Sequence, residues 1–386
     1  MFGFGRLASY DYFAHLQRAL SDRLRAAGDD VDIHVAQVSP TASIRRRALK
    51  LTELVARTCD LGASDGGPIH LIGHSTGGLD ARLVASPSVS LAVAPGEMAW
   101  RGRLASVTTI NAPHFGTPLA SFFTTASGQR VLRALSALTF IALSLGSPPL
   151  AVASALVMAF SRIDRSLGFE LKIVDRMTEA LLRVLDDARG QDVRDYLDAI
   201  SGDQGAMVQL MPEAMDLYIA GVEDRKGVLY QSTASMAPAP SAQLVLPALP
   251  HPWRVVSGGI FAILHGITSR FDRHYPCAAD TLPPETEQLL ARTFGTVPPV
   301  YANDGVVPIR SQIWGKLVWA GHGDHLDVLG HFGDSTSVAT QVVAEGPPAH
   351  VDWLYSGSAF GRTQFASLVD AIVSGLLSSA RSSSPA

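Results

Sequence analysis

The run Pro68-Ile69-His70-Leu71-Ile72 ends directly in Gly73-His74-Ser75-Thr76-Gly77-Gly78. A short apolar run stopped by glycines predicts a buried strand over 68–72 that breaks into a tight turn. Small residues on both sides of Ser75 suit a strained strand-to-helix elbow, with Gly73 and Gly77 as the positions that must carry almost no side chain. The helix beginning near Gly77-Gly78-Leu79 would then aim its N-terminal N–H groups at Ser75 and favour negative charge there. With 34 glycines among 386 residues, the pentapeptide alone also fits an ordinary Gly-rich turn. The strand before it and the partners after it favour the elbow.

A serine presented in this way needs a base and an acid, expected in the order serine, acid, histidine. Tyr301-Ala302-Asn303-Asp304-Gly305-Val306-Val307-Pro308 offers Asp304, which also reads as turn chemistry. Gly323-Asp324-His325-Leu326-Asp327 follows the strand-like Lys316-Leu317-Val318-Trp319-Ala320 and offers His325. In this reading His325 takes the Ser75 proton, and Asp304 holds its tautomer and steadies the imidazolium. Thr76, the residue after the nucleophile, supplies an oxyanion N–H. The chain has 12 histidines. His322 is the nearest rival to His325. His74 reads as a packing or turn residue, His70 as a satisfied core histidine, and His114 as part of a pocket wall.

The segments GHSTGG, NAPHFGT, NDGVVP and DHLD resemble those of the bacterial triacylglycerol lipases of the Pseudomonas and Burkholderia type, in the α/β-hydrolase superfamily. Residues 1–120 and about 275–335 carry the likeness; the middle third shares only its character. The resemblance implies Asp304 and His325, over Asp324 and His322, as the triad partners of Ser75. It also implies a structural calcium ion with Asp327 as a ligand and Asp280 as the nearest match for a second. His331 stands where that family has a glutamine, a departure for a cation that prefers oxygen. Finally, it implies a strand ending in His-Gly ahead of the segment matching Met1-Phe2-Gly3-Phe4-Gly5. The following loop would place a second oxyanion donor at Met1. The expectation is therefore an in-frame extension upstream, preceded by a secretion signal. The chain as given shows no basic region followed by an apolar core.

Composition narrows the partners. A net charge of −4 and 17% charged residues argue against nucleic acid. Arg45-Arg46-Arg47 reads as a solvated helix face. Cys59 and Cys277 read as free thiols, although one bridge could form.

Strand–helix alternation over residues 1–120 predicts a mostly parallel sheet covered by helices on both faces. Helices are expected at 11–27, 43–58 and 79–85, and strands at 31–35, 68–72 and 104–110. The alternation pauses over 121–250, expected to be an inserted helical cap or lid. It resumes with a strand at Trp253–Gly258 in a C-terminal core segment, 251–386. A closing helix spans 366–377, and Ser378–Ala386 reads as a frayed tail. No charge occurs from Ala134 to Ser161, but Gly146-Ser147-Pro148-Pro149 interrupts the run. Two apolar half-helices fit better than a transmembrane span, either as a lid that opens at a lipid surface or as a buried cap.

The expected activity is carboxylic ester hydrolysis through an acyl-enzyme, on acylglycerols at a lipid–water interface, with no cofactor needed for the chemistry. Acyl transfer or polyester depolymerisation would use the same triad. A catalytically silent protein docking through 134–160 is the alternative from another class.

Overall fold

The computed structural model describes residues 6–7, 10–59, 66–145, 179, 187–241, 252–333, 350 and 352–383. Its centre is a parallel sheet of four strands in the order β3-β4-β5-β6: Ile69–His74, Leu104–Ile110, Leu229–Met236 and Lys316–His322. Before it, β1 (Arg6–Leu7) and β2 (Tyr10–Asp11) form a small antiparallel pair, the second strand taking the residue at which the first helix was expected to begin.

Helices cover both faces. α1 (Ala14–Ala26) buries Leu16, Leu20 and Leu24 along one stripe, and Gly28 follows it at φ 93°. In α2 (Ile44–Thr58), the Ser43 side chain caps the first turn by accepting from the Arg46 N–H at 3.3 Å. α3 (Thr76–Ala85) lies against Thr109, whose side chain a Cβ on Gly78 would meet. The neighbouring Thr108 instead accepts from Gln231 Nε2, which also reaches the Ile372 carbonyl of α11 (Arg362–Ser383). Successive strand residues point to opposite faces. α3 and α11 therefore sit on opposite sides of the sheet, giving the expected α/β layering.

Four expectations change. Val31–Val35 alternates but forms no strand. A strand exists through its ladder, and among the described residues β3 has a ladder pairing only with β4. The 253–258 stretch belongs to a helix, α9 (Pro252–Thr268), with Val256, Ile260, Leu264 and Ile267 buried on one face. Trp253, Val255 and Val256 made a short β-prone stretch that hid a helical period only the longer window shows. β5 falls within 121–250, so the sheet re-enters the span expected to be cap. Its Gln231, Ser232, Thr233 and Ser235 are all buried, so it lacks the aliphatic signature of a central strand. α11 continues through the serine tail to Ser383, with the Ser378 and Ser379 hydroxyls donating to Gly375 and Leu376 carbonyls.

Between β4 and β5 run α4 (Pro118–Phe123), α5 (Ala126–Leu145), α6 (Asp187–Gly202), α7 (Gly205–Gln209) and α8 (Pro212–Gly221). The expected first apolar half-helix is the end of α5, where Ala134, Leu135, Ala137 and Leu138 are buried. Residues 146–161, the rest of the expected lid, lie outside the described residues. Among the described residues no helix is long and apolar enough to cross a membrane. Both cysteines are free thiols.

Arg47 departs from the solvated face expected of Arg45–Arg47. It is buried and paired with the buried Asp80 of α3 at 2.9 Å, and it donates to the Ser39 and Pro40 carbonyls. Burial raises the Asp80 carboxyl against the lowering pull of Arg47. The pair ties α2 to the helix behind Ser75. Asp80→Asn should cost about 3–5 kcal/mol in urea unfolding, because it leaves a buried guanidinium uncompensated. Replacing both residues with apolar side chains should recover most of that loss.

Candidate active site

Ser75 sits at φ 55°, ψ −131°, between β3 and α3. That left-handed backbone is rare for a residue with a Cβ and marks an over-determined turn. The turn is pinned by the Ser75 N–H on the Ile110 carbonyl of β4 at 2.9 Å and the Gly78 N–H on the Ser75 carbonyl at 3.0 Å. Which glycines it needs differs from the expectation. A Cβ at Gly73 would run into the Gly77 carbonyl, and one at Gly78 would come 2.6 Å from the Ala112 Cβ. Gly77 has open space around it. Thr76 is the first residue of α3, where backbone N–H groups lack intrahelical partners and the helix dipole is positive. Met1, the other expected donor, lies outside the described residues.

Across the carboxyl ends of the strands, the structure brings Asp304 and His325 together. His325 Nδ1 lies 2.7 Å from Asp304 Oδ2, and both side chains are fully buried. The His325 N–H also donates to the Asp304 carbonyl at 3.0 Å, so both backbone and side chain align the imidazole. Asp304 Oδ1 accepts from the N–H groups of Val306 (2.9 Å) and Val307 (2.7 Å). Burial raises the Asp304 carboxyl to about 6, against the lowering effect of these backbone donors and Asn111. Burial holds His325 well below the usual histidine range. A neutral imidazole donating from Nδ1 leaves Nε2 as a base, and Nε2 has no hydrogen-bond partner among the described residues.

No family model matches this chain. A triacylglycerol lipase of Vibrio cholerae serotype O1 (strain ATCC 39315 / El Tor Inaba N16961) is 36% identical over 121 residues, which is 31% of this chain and 32% of that protein. The match thus spans about a third of that relative's length. Among solved structures, EstA from Clostridium botulinum is similar at a TM-score of 0.46 and 17% identity, over 95% of this chain and 84% of that one. Lipase 1 from Pelosinus fermentans is similar at 0.45 and 14%, over 93% and 95%. Staphylococcus hyicus lipase is similar at 0.43 and 16%, over 93% and 89%.

The loops around the pair have specific supports. α9 holds the Asp304 turn: Asn303 Nδ2 donates to Ser269 Oγ at 2.9 Å, and Thr268 Oγ1 donates to the Gly305 carbonyl at 3.1 Å. Gly305 is at φ 94°, and a Cβ there would meet Phe261 at 2.9 Å. His74 does more than pack. Its Nε2 lies 2.9 Å from the His325 carbonyl and its ring centroid 4.6 Å from that of His325, linking the residue before Ser75 to the histidine loop. His114 is no pocket wall: it is fully buried, 3.2 Å from Arg82 Nη1 and 3.0 Å from Thr109 Oγ1. His70 has the partner expected of it, with Nδ1 2.7 Å from Ser106 Oγ, but it is half-buried and not in the core.

The rivals stand elsewhere. His322 is exposed and packs edge-on against Phe294, the last residue of α10 (Pro284–Phe294). Asp324 Oδ1 accepts from the Leu326 (2.8 Å) and Asp327 (3.0 Å) N–H groups as a turn cap. The sequence reading missed Asn111, which sits at φ 47° after β4 and contacts Asp304. The one available signal was an asparagine at a strand end, where it tolerates left-handed backbone best among side-chain-bearing residues.

The two aspartates matched to calcium ligands have different surroundings. Asp280 is exposed and Asp327 buried. Asp327 Oδ2 already accepts from the Asp324 N–H (2.9 Å) and Ser358 Oγ (2.7 Å), while His331 Nε2 pairs with the Tyr12 carbonyl. Among the described residues no three His, Cys, Asp or Glu side chains converge as metal ligands.

Proposed function

We propose that this protein hydrolyses carboxylic esters with Ser75, His325 and Asp304, on an α/β-hydrolase arrangement of the sheet, and that its substrates are acylglycerols. The observation that carries this reading is the buried Asp304–His325 contact at 2.7 Å, with Nε2 left without a hydrogen-bond partner among the described residues and the loop joined to the elbow through His74. The partial likeness to a triacylglycerol lipase supports the substrate class.

Ser75 Oγ attacks the ester carbonyl carbon while His325 Nε2 takes its proton. The tetrahedral oxyanion faces the Thr76 N–H and the positive end of α3; one such donor is worth about 3 kcal/mol. The imidazolium then gives its proton to the leaving alcohol, and an acyl-Ser75 ester remains. Water, deprotonated by His325, attacks that ester; the acyl–oxygen bond breaks, the imidazolium returns its proton to Ser75 Oγ, and the acid leaves. Asp304 holds the imidazole in the tautomer that makes each transfer possible.

The test is hydrolysis of p-nitrophenyl esters together with mass mapping after a serine-directed organophosphonate. The adduct is expected on Ser75; an adduct on another serine, or no hydrolysis, would remove this reading. The apolar 134–160 segment is proposed as the lid. The rate on triacylglycerol should rise sharply when substrate passes from dispersed to emulsified, and a deletion within that segment should abolish the rise. Activity confined to dispersed short-chain esters would mark an esterase without a lid.

A further inference from the structure

We propose that Asn111 is a positioning residue that holds Asp304 in the orientation and charge state His325 needs, an inference that rests on the triad reading above. Asn111 Nδ2 has two hydrogens, and both are committed: Ser235 Oγ lies at 2.6 Å and Asp304 Oδ2 at 2.9 Å. The same Oδ2 accepts His325 Nδ1 at 2.7 Å, and Oδ1 accepts the Val306 and Val307 N–H groups. An ionised carboxylate has about four acceptor sites, so Asp304 is filled. The reverse amide orientation would set a carbonyl oxygen against the carboxylate. The Asn111 orientation therefore matches an ionised Asp304 and fixes which edge of Oδ2 remains for His325.

The position is kept under strain. Asn111 is fully buried at φ 47°, and its Oδ1 has no hydrogen-bond partner among the described residues. Glycine would relieve both features and lose only the amide. The strand end is rigidly held, with the Asn111 N–H on the Thr233 carbonyl at 3.3 Å and Ser235 bracketed by Gln312. The donor thus stands on the sheet itself.

The experiment compares Asn111→Gly and Asn111→Asp with the wild-type protein. Asn111→Gly suits the left-handed backbone, so folding is retained. Losing a hydrogen bond to a charged group should lower kcat about 10- to 100-fold with KM little changed. The readout that a structural role would not move is the acid limb of kcat/KM. A carboxylate stripped of a donor is more basic and draws a proton more strongly onto the His325 pair, so the limb moves to higher pH. Asn111→Asp adds a like charge beside Asp304 and should move it further, by about one unit or more. These values belong to the coupled pair, faced also by His74, His265 and Asp324. A measurement independent of turnover is the proton NMR signal of the His325 Nδ1–H, expected to shift and to titrate at higher pH in both variants. An unmoved limb and an unmoved signal, in folded variants, would overturn the proposal. Absence of Ser75-dependent hydrolysis in the wild type would remove the triad reading instead, and the NMR comparison would still decide whether Asn111 acts on the pair.

Discussion

Ser75→Ala is expected to lower ester hydrolysis by roughly six powers of ten, the scale seen when a serine nucleophile acting as one unit with its base is removed. The fold should be untouched. Among the described residues the hydroxyl makes no hydrogen bond that the turn depends on; the turn is held by the Ser75 N–H on Ile110 and by the Gly78 N–H on the Ser75 carbonyl. Circular dichroism and the urea midpoint should therefore match the wild type while turnover collapses. A fall of only tenfold would show that another group attacks the ester.

Asp304→Asn should lower kcat by about 10⁴, because an amide in place of the carboxylate no longer holds the imidazole with Nε2 as the base. Four donors meet at Asp304, and an asparagine there must turn its own N–H groups toward some of them. Asp324→Asn makes the contrast. Its Oδ1 caps the Leu326 and Asp327 N–H groups, and an asparagine oxygen does the same. Burial raises the Asp324 carboxyl to about 6, so a neutral amide also removes a charge that the site disfavours. Turnover of Asp324→Asn should stay within about tenfold of wild type. The opposite order of effects would exchange the roles of the two acids.

Several elements were legible because their signals are local. Leu16, Leu20 and Leu24 mark one helical stripe, Ile69–Ile72 runs apolar into glycines, and Leu104–Ile110 is apolar enough to read as a buried strand. β5 was not legible, since Gln231, Ser232, Thr233 and Ser235 become core residues only through partners such as Thr108, Trp314 and Gln312. The 252–268 helix was misread because Trp253–Gly258 alone looks β-prone, whereas its packing against the Asp304 turn favours a helix. Arg47 looked like one more surface charge until Asp80, on another helix, came within 2.9 Å.

The sequence by itself determined the elbow and pointed to Ser75, Asp304 and His325, because turn chemistry and chain order are encoded over a few residues and survive in one dimension. Only the tertiary structure decided that Asp304, and not Asp324, lies against His325. It alone showed that Gly78, and not Gly77, joins Gly73 as a close approach, and that Asn111 completes the carboxylate's partners. Apart from the local approach of Gly73 to Gly77, those outcomes depend on distances between residues from 21 apart (Asp304 and His325) to 193 apart (Asn111 and Asp304). Such distances are set by how the strands align in the sheet, a property that no local stretch of the chain carries.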